Sequence, residues 1–211
     1  MEQKTPLPEP ASSRCAPSAT EPSPWRSRRY LPHFERVGLV QALTFRLDDS
    51  VPSHVVKEWK AELARVDQPS DRAATLRRRL VRYEDAGHGA CWLRESRVAA
   101  LVEGALLDFD GERYRLMSWC IMPNHVHALI ETSDEWTLDR VVHGWKSYTA
   151  HEANRLLGRT GRFWAREYHD RFVRDDDHLG SCIRYIENNP VAAGLVLEAE
   201  SWRWGSARRR V

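Results

Sequence analysis

Apolar and polar residues follow two different rhythms along this chain, and the changes of rhythm mark its elements. The run VGLVQALTFRL at 37–47, bounded by Gly38 and by DDSVP, carries the apolar content of a central strand, with Thr44 and Phe45 suited to a pleated sheet. At 54–66, Val55, Trp59, Leu63 and Val66 recur at near-helical spacing, and a second helix is expected over about 72–85. After the Gly87-His88-Gly89 turn, residues 95–109 predict an amphipathic helix with Val98, Leu101, Val102 and Leu106 inward. Residues 114–122, the Pro123-Asn124 turn and residues 125–131 predict a β-hairpin. A helical pattern at 137–158 is stopped by Gly158, and a shorter one at 178–189 is stopped by Pro190. The order strand, helices, hairpin, helix, helix implies an α+β fold, an antiparallel sheet with helices packed on one face.

Composition changes this picture at the N-terminus. Residues 1–24 hold six of the eleven prolines and almost no large apolar side chains, so they cannot bury enough surface to offset the entropy of ordering. Residues 1–29 are expected to form a disordered leader, residues 30–205 one domain and residues 206–211 a basic tail. No apolar run approaches the roughly 20 residues of a membrane helix, and the start lacks a secretion signal, so a cytoplasmic protein with no membrane partner is expected. Cys15, Cys91, Cys120 and Cys182 show no C-x-x-C spacing and read as free thiols rather than a zinc site or disulfide framework. A net charge of +2 does not announce a nucleic-acid partner. The local clusters RSRR, RRRLVR and RRR read singly as solvated faces or tails.

The chemistry concentrates in SWCIMPNHVHALIE, residues 118–131. On a strand, residues i and i+2 share a face with Cα atoms roughly 6.5 Å apart, so His125 and His127 can aim two imidazoles at one point while Val126, Ala128 and Ile130 face away. Two neutral imidazoles make half of a divalent-metal site; two hydrogen-bonded histidines on a half-exposed face explain the pair equally well. Two helical pairs at i, i+4 offer a completion: Tyr185 with Asn189, or Tyr148 with Glu152. Ligand chemistry alone favours the carboxylate of Glu152.

MPNHVHALIE followed by WKSYTA, FWAREYHDRFVRDDDHL and YIENNPVAAGL, in that order, resembles the IS200-like single-tyrosine transposases, within them the REP-associated tyrosine transposase branch, from about Arg29 to Trp204. The resemblance implies the HUH endonuclease fold, a ferredoxin-like (RRM-like) antiparallel sheet. It also implies metal-dependent cleavage and strand transfer of single-stranded DNA. Carried over residue by residue, His125 and His127 match the metal-binding His-hydrophobe-His motif and Tyr185 matches the nucleophile. Asn189 falls where the family supplies a third ligand, with Asn188 exchanged for it by a one-residue change of helix register. Mg²⁺ or Mn²⁺ is the implied cofactor, and hairpin-forming single-stranded DNA the implied partner, for a monomer or a homodimer. Tyr148 and Glu152 then belong to a supporting helix, while Lys146 is placed to reach a phosphate.

Arg162, Arg166, Arg171 and Arg174, interleaved with Trp164 and Tyr168, suggest a DNA-facing surface. Of the nine tryptophans, Trp119, Trp145 and Trp164 lie near the motifs where one could stack on an unpaired base, though most are expected in the core. His169 and Asp170 are candidates for a supporting role, and the acidic run at 175–177 caps the helix that follows. The competing reading is a domesticated, non-catalytic nucleic-acid-binding protein on the same sheet. A phosphohydrolase using a water nucleophile is poorly supplied with carboxylates, since only Glu131 and Glu187 lie in the motif segments.

Overall fold

The computed structural model describes residues 25–27, 32–34, 38–65 and 69–210. Residues 1–24 of the expected leader lie outside the described residues; its segment β1 (Trp25–Ser27) pairs antiparallel with β2 (Pro32–Phe34). The main sheet contains β3 (Val40–Leu47), β4 (Tyr114–Ile121), β5 (His125–Thr132) and β6 (Trp164–Phe172) in the order β4-β5-β3-β6, all neighbours antiparallel. With α1 (Ser53–Leu63), α2 (Pro69–Asp85) and α3 (Ser96–Leu107) between the first two of these strands and α4 (Leu138–Leu157) before the last, this is the βαββαβ connectivity of a ferredoxin-like sheet. The helix α5 (Asp176–Ala192) follows β6.

The two sheet faces are buried differently. Leu43 and Phe45 of β3 and Val126, Ala128 and Ile130 of β5 join Val98, Val102 and Leu106 of α3 and Val141, Val142 and Trp145 of α4 in the main core. The opposite face carries a smaller cluster in which Cys120, Met122 and Leu129 meet Ile186 of α5. Helices therefore cover mainly one face, and the face bearing His125 and His127 is left partly open beside α5. Helices α1 and α2 pack on each other through Val56, Leu63, Leu76 and Leu80.

Strand β6 is an element the sequence pattern did not reveal. Its apolar residues Trp164, Tyr168 and Phe172 recur every fourth position, which suits a helix better than a strand. Pairing with β3 decides the matter: Tyr168 lies opposite Phe45 and His169 opposite Thr44, with an irregularity between Phe45 and Leu47. As an edge strand it needs no apolar residue at every second position. The expected stop at Pro190 is also corrected, because α5 continues to Ala192. A proline in the last turn forfeits only its own bond to the carbonyl four residues back, while Ala193 N still donates to Asn189 O and Leu195 N to Pro190 O.

Other boundaries follow the local chemistry expected of them. Gly158 takes a left-handed φ of 62° at the end of α4, and the Asp175 side chain accepts from His178 N at 2.7 Å to cap α5. The end of the described chain docks on β4. Ile121 N donates to Trp204 O, and the Ser206 hydroxyl donates to Glu187 Oε1 at 2.8 Å and receives a bond from Trp119 N. Among the described residues no helix is long and apolar enough to cross a membrane, and the described cysteines are free.

The strand pairing makes a stability prediction. Phe45 is fully buried and meets Trp164 edge-on with ring centroids 4.9 Å apart, so Phe45→Ala is expected to cost about 3–5 kcal/mol in urea unfolding. At Leu197, which is fully solvated, Ser should change stability by no more than about 0.5 kcal/mol. A Phe45→Ala loss below about 1 kcal/mol contradicts the assigned core.

Candidate active site

The histidine pair sits on the open face of β5, and both rings are almost fully buried. Their Nε2 atoms converge to 2.9 Å, and each Nδ1 is held from behind. Asn124 Oδ1 lies 2.8 Å from His125 Nδ1, and Thr44 Oγ1 lies 2.8 Å from His127 Nδ1. The Asn124 amide is oriented independently, since its Nδ2 donates to Glu84 O and His88 O. Its Oδ1 must therefore accept, which places a proton on His125 Nδ1 and a lone pair on His125 Nε2. That tautomer is the one a metal-binding imidazole requires.

Burial holds both rings neutral. Desolvation, with the neighbouring His127 second, pushes His125 well below the usual histidine range; desolvation brings His127 down to about 4 although its hydrogen bond to Asn189 opposes the shift. At neutral pH both rings are uncharged, and His125 presents its Nε2 lone pair.

Helix α5 delivers Tyr185 and Asn189 to the same point. The Tyr185 ring stands edge-on to His127 with centroids 5.6 Å apart, and Asn189 is hydrogen-bonded to both Tyr185 and His127. Asn189 is buried and Asn188 exposed, so Asn189 is the one turned inward from α5. Tyr185 remains about half exposed. Burial first and the Asp85 charge second raise its phenol pKa, while the Asn189 bond lowers it.

The sequence reading missed the contribution of α2. Asp85, at its C-terminal end, brings Oδ1 to 3.7 Å from His125 Nε2, and the potential ligand atoms of Asp85, His125 and His127 all lie within 4.8 Å of one another. Asp85 Oδ1 is buried without a hydrogen-bond partner, and burial raises this carboxyl to about 6. Two uncharged imidazoles beside an orphaned carboxylate oxygen fit a divalent cation. Behind Asp85, buried Glu84 pairs with Arg46 Nε at 3.0 Å, and burial, against the Arg46 charge, raises Glu84 to about 7. The only sequence signals were Glu84-Asp85 at a helix end and an arginine inside an apolar strand.

The remaining candidates separate. Helix α4 covers the other face of the sheet, so exposed Tyr148 and Glu152, which pairs with Arg155 at 2.8 Å, stand away from the histidines. Lys146 donates to Ala165 O and Arg166 O at 2.7 and 2.9 Å and, with Arg162 and Arg166, lines a cleft on the α4 side of β6. Arg162 also pairs with Asp48 at 3.3 Å. Arg171 lies on the histidine side, lining a groove of about 360 Å³ with His127, His169 and Tyr185, while exposed Arg174 precedes α5. Trp119, Trp145 and Trp164 are buried and bonded through Nε1 to Glu103, Tyr114 and Thr149, so the idea of base stacking by them is set aside. Asp170 accepts from Gln41 Nε2 at 3.5 Å.

Comparison with known proteins agrees with this geometry. Residues 96–189 match the family model described as Transposase IS200 like, the segment that holds the hairpin, Tyr185 and Asn189. The chain is 28% identical over 109 residues, 46% of its length, to a Haemophilus influenzae protein named "Putative REP-associated tyrosine transposase", and spans 61% of that relative. A solved structure titled "Structure of the REP associates tyrosine transposase bound to a REP hairpin" matches with TM-score 0.54 and 15% identity, over 87% of this chain and 83% of that one. Residues 96–189 are thus similar to the IS200-like transposases, and the fold resembles that of the solved REP-associated structure.

The Arg46–Glu84 pair predicts a pH dependence. Because the Glu84 carboxyl binds its proton more tightly in the folded protein, its contribution to stability falls as pH rises from its ordinary value of 4.5 through about 7. Without Arg46 the folded pKa rises further and the fall continues above pH 7. Arg46→Met should therefore be nearly neutral at pH 5 and cost about 3 kcal/mol at pH 8.5, a buried charge left without its partner. Chemical denaturation at both pH values checks it; an equal cost at the two contradicts the assignment.

Proposed function

We propose that this chain is a metal-dependent single-stranded DNA endonuclease and strand transferase, a transposase in which Tyr185 is the nucleophile. The observation that carries the reading is the Tyr185–Asn189–His127 arrangement beside the converging Nε2 atoms. His125 and His127 would hold the cation, with Asn189 on the α5 side and Asp85 on the α2 side completing an N/O donor set. Two imidazoles favour Mn²⁺ somewhat over Mg²⁺. When bound, such an ion supplies charge neutralisation at a non-bridging phosphate oxygen and orientation for in-line attack.

The chain's own residues supply the rest. Tyr185 Oη gives up its proton to solvent and attacks phosphorus, the bond from phosphorus to the 3′-oxygen breaks, and a 5′-phosphotyrosine forms while the 3′-oxygen takes up a proton from solvent, so the protons balance. A second 3′-hydroxyl can then attack that linkage, release Tyr185 and reseal the strand, so cleavage and transfer are one reaction in two directions. Asn189 fixes the tyrosine relative to His127, and Asn124 and Thr44 hold the imidazoles in orientation. Arg171 and Arg174 lie on the side from which a strand enters. Lys146, Arg162 and Arg166 would meet a folded stem passing around the edge of β6. The hairpin in the similar solved structure supports hairpin-forming DNA as the substrate class.

With end-labelled hairpin DNA from the gene's flanks and Mn²⁺, the wild type is expected to give a covalent adduct on denaturing gels, abolished by EDTA and by Tyr185→Phe. Tyr185→Phe should still shift the DNA. His127→Ala should reduce the rate at least a hundredfold through loss of a ligand and its supporting contacts. Adducts formed by Tyr185→Phe contradict the nucleophile; DNA bound but uncut under every condition favours the non-catalytic binding reading.

A further inference from the structure

The family match begins at residue 96, yet α2 forms one wall of the groove beside Tyr185. Three α2 residues spaced four apart, Arg77, Val81 and Asp85, share a helix face. Arg77 and Val81 line the groove, and Asp85 lies at the histidine pair. The arginine run at 77–79 is divided by helical periodicity. Arg79 is used in a two-pronged pair with Glu62 at 2.6 and 2.8 Å, and Arg78 donates to Thr75. Arg77 Nε is buried and finds no acceptor. A guanidinium keeps its charge and all its donors, and a buried Nε without an acceptor is costly, so half-buried Arg77 is available to an anion entering the groove.

The opposite wall carries the complement. Arg171 of β6 is exposed on the groove, next to His169, with His178 from α5 closing one end. The carboxylate lining the groove among the described residues, Asp170, already accepts from Gln41. The floor, Ala42 and Thr44, is small and nearly uncharged. A volume of about 360 Å³ lies at the small end of ligand clefts, with room for about one nucleotide of an unpaired strand.

We propose that Arg77 and Arg171 clamp the phosphate next to the scissile one, holding single-stranded DNA across this groove so that the scissile phosphate meets Tyr185. The clamp rests on the nuclease reading of the site for its register, but its contacts are made before any chemistry. Arg77 and Arg171 act as positioning residues.

The test uses the full chain carrying Tyr185→Phe, a hairpin oligonucleotide with a single-stranded extension, and a series of the same oligonucleotide with one phosphate at a time replaced by neutral methylphosphonate. Anisotropy titrations over a range of salt should show one position where replacement weakens binding about tenfold. Adding Arg77→Gln should weaken binding of unmodified DNA by a similar factor, lower the salt slope by roughly 0.7, as for one phosphate on a single strand, and abolish sensitivity at that position. Arg171→Gln, at an exposed site where folding is not at stake, should do the same, with thermal melts verifying both proteins. Unchanged affinity, slope and methylphosphonate profile in both variants overturns the clamp. Adduct formation by the wild type, scored separately, distinguishes the two claims: adducts with an unchanged profile leave the nuclease and remove the clamp, whereas a clamp profile without adducts removes the nuclease alone.

Discussion

Two neutral imidazoles packed Nε2 to Nε2 on a buried sheet face constrain the surrounding structure. Removing them from water is tolerable only if both rings stay uncharged and every other ring nitrogen has a partner. Those partners come from several elements: Thr44 lies on the neighbouring strand through the β3–β5 register, Asn124 directly before His125 in the hairpin turn, and Asn189 on α5. Slipping β3 by one residue would turn Thr44 to the opposite face and leave His127 Nδ1 without its oxygen. The same burial that secures the sheet thereby fixes both imidazoles with their Nε2 atoms converging.

The asymmetry of the two faces follows from this requirement. The α3/α4 side is closed with large apolar side chains, among them Phe45, Trp145 and Trp164, and supplies the main core. The other side is covered only as far as α5 and the end of α2 reach, which leaves Tyr185 half exposed beside the buried histidines. Helix α2 is anchored there by the Arg46–Glu84 pair and by Asn124 donating to Glu84 O. Structural polar contacts and candidate catalytic groups thus occupy adjacent residues: Glu84 ties the helix down, and Asp85 faces His125.

Much of this was legible in the chain because it is local. The alternation in HVHALIE puts the histidines on one face through the two-residue period of a strand. Gly158 and the run at 175–177 mark helix ends through backbone freedom and capping. The i, i+4 spacing of Tyr185 and Asn189 puts them on one helix face, and their order with the hairpin carried the family resemblance. Strand β6 escaped because its four-residue apolar spacing imitates a helix, and only pairing with β3 overrides it. Asp85 escaped because forty residues separate it from His125 and nothing in YEDAGHG announces which carboxylate turns inward.

The sequence by itself determined the strand and helix periods, the side of the strand on which both imidazoles lie, and the spacing of tyrosine and amide, since these depend on backbone geometry within a few residues. Tertiary structure alone decided which arginines share a surface, separating Arg162 and Arg166 on one side of β6 from Arg171 on the other. It also decided that the tryptophans are core, that the C-terminal residues dock on β4, and that α2 enters the site. Each depends on which surfaces meet once apolar faces are buried, and that is set by the packing of the whole chain.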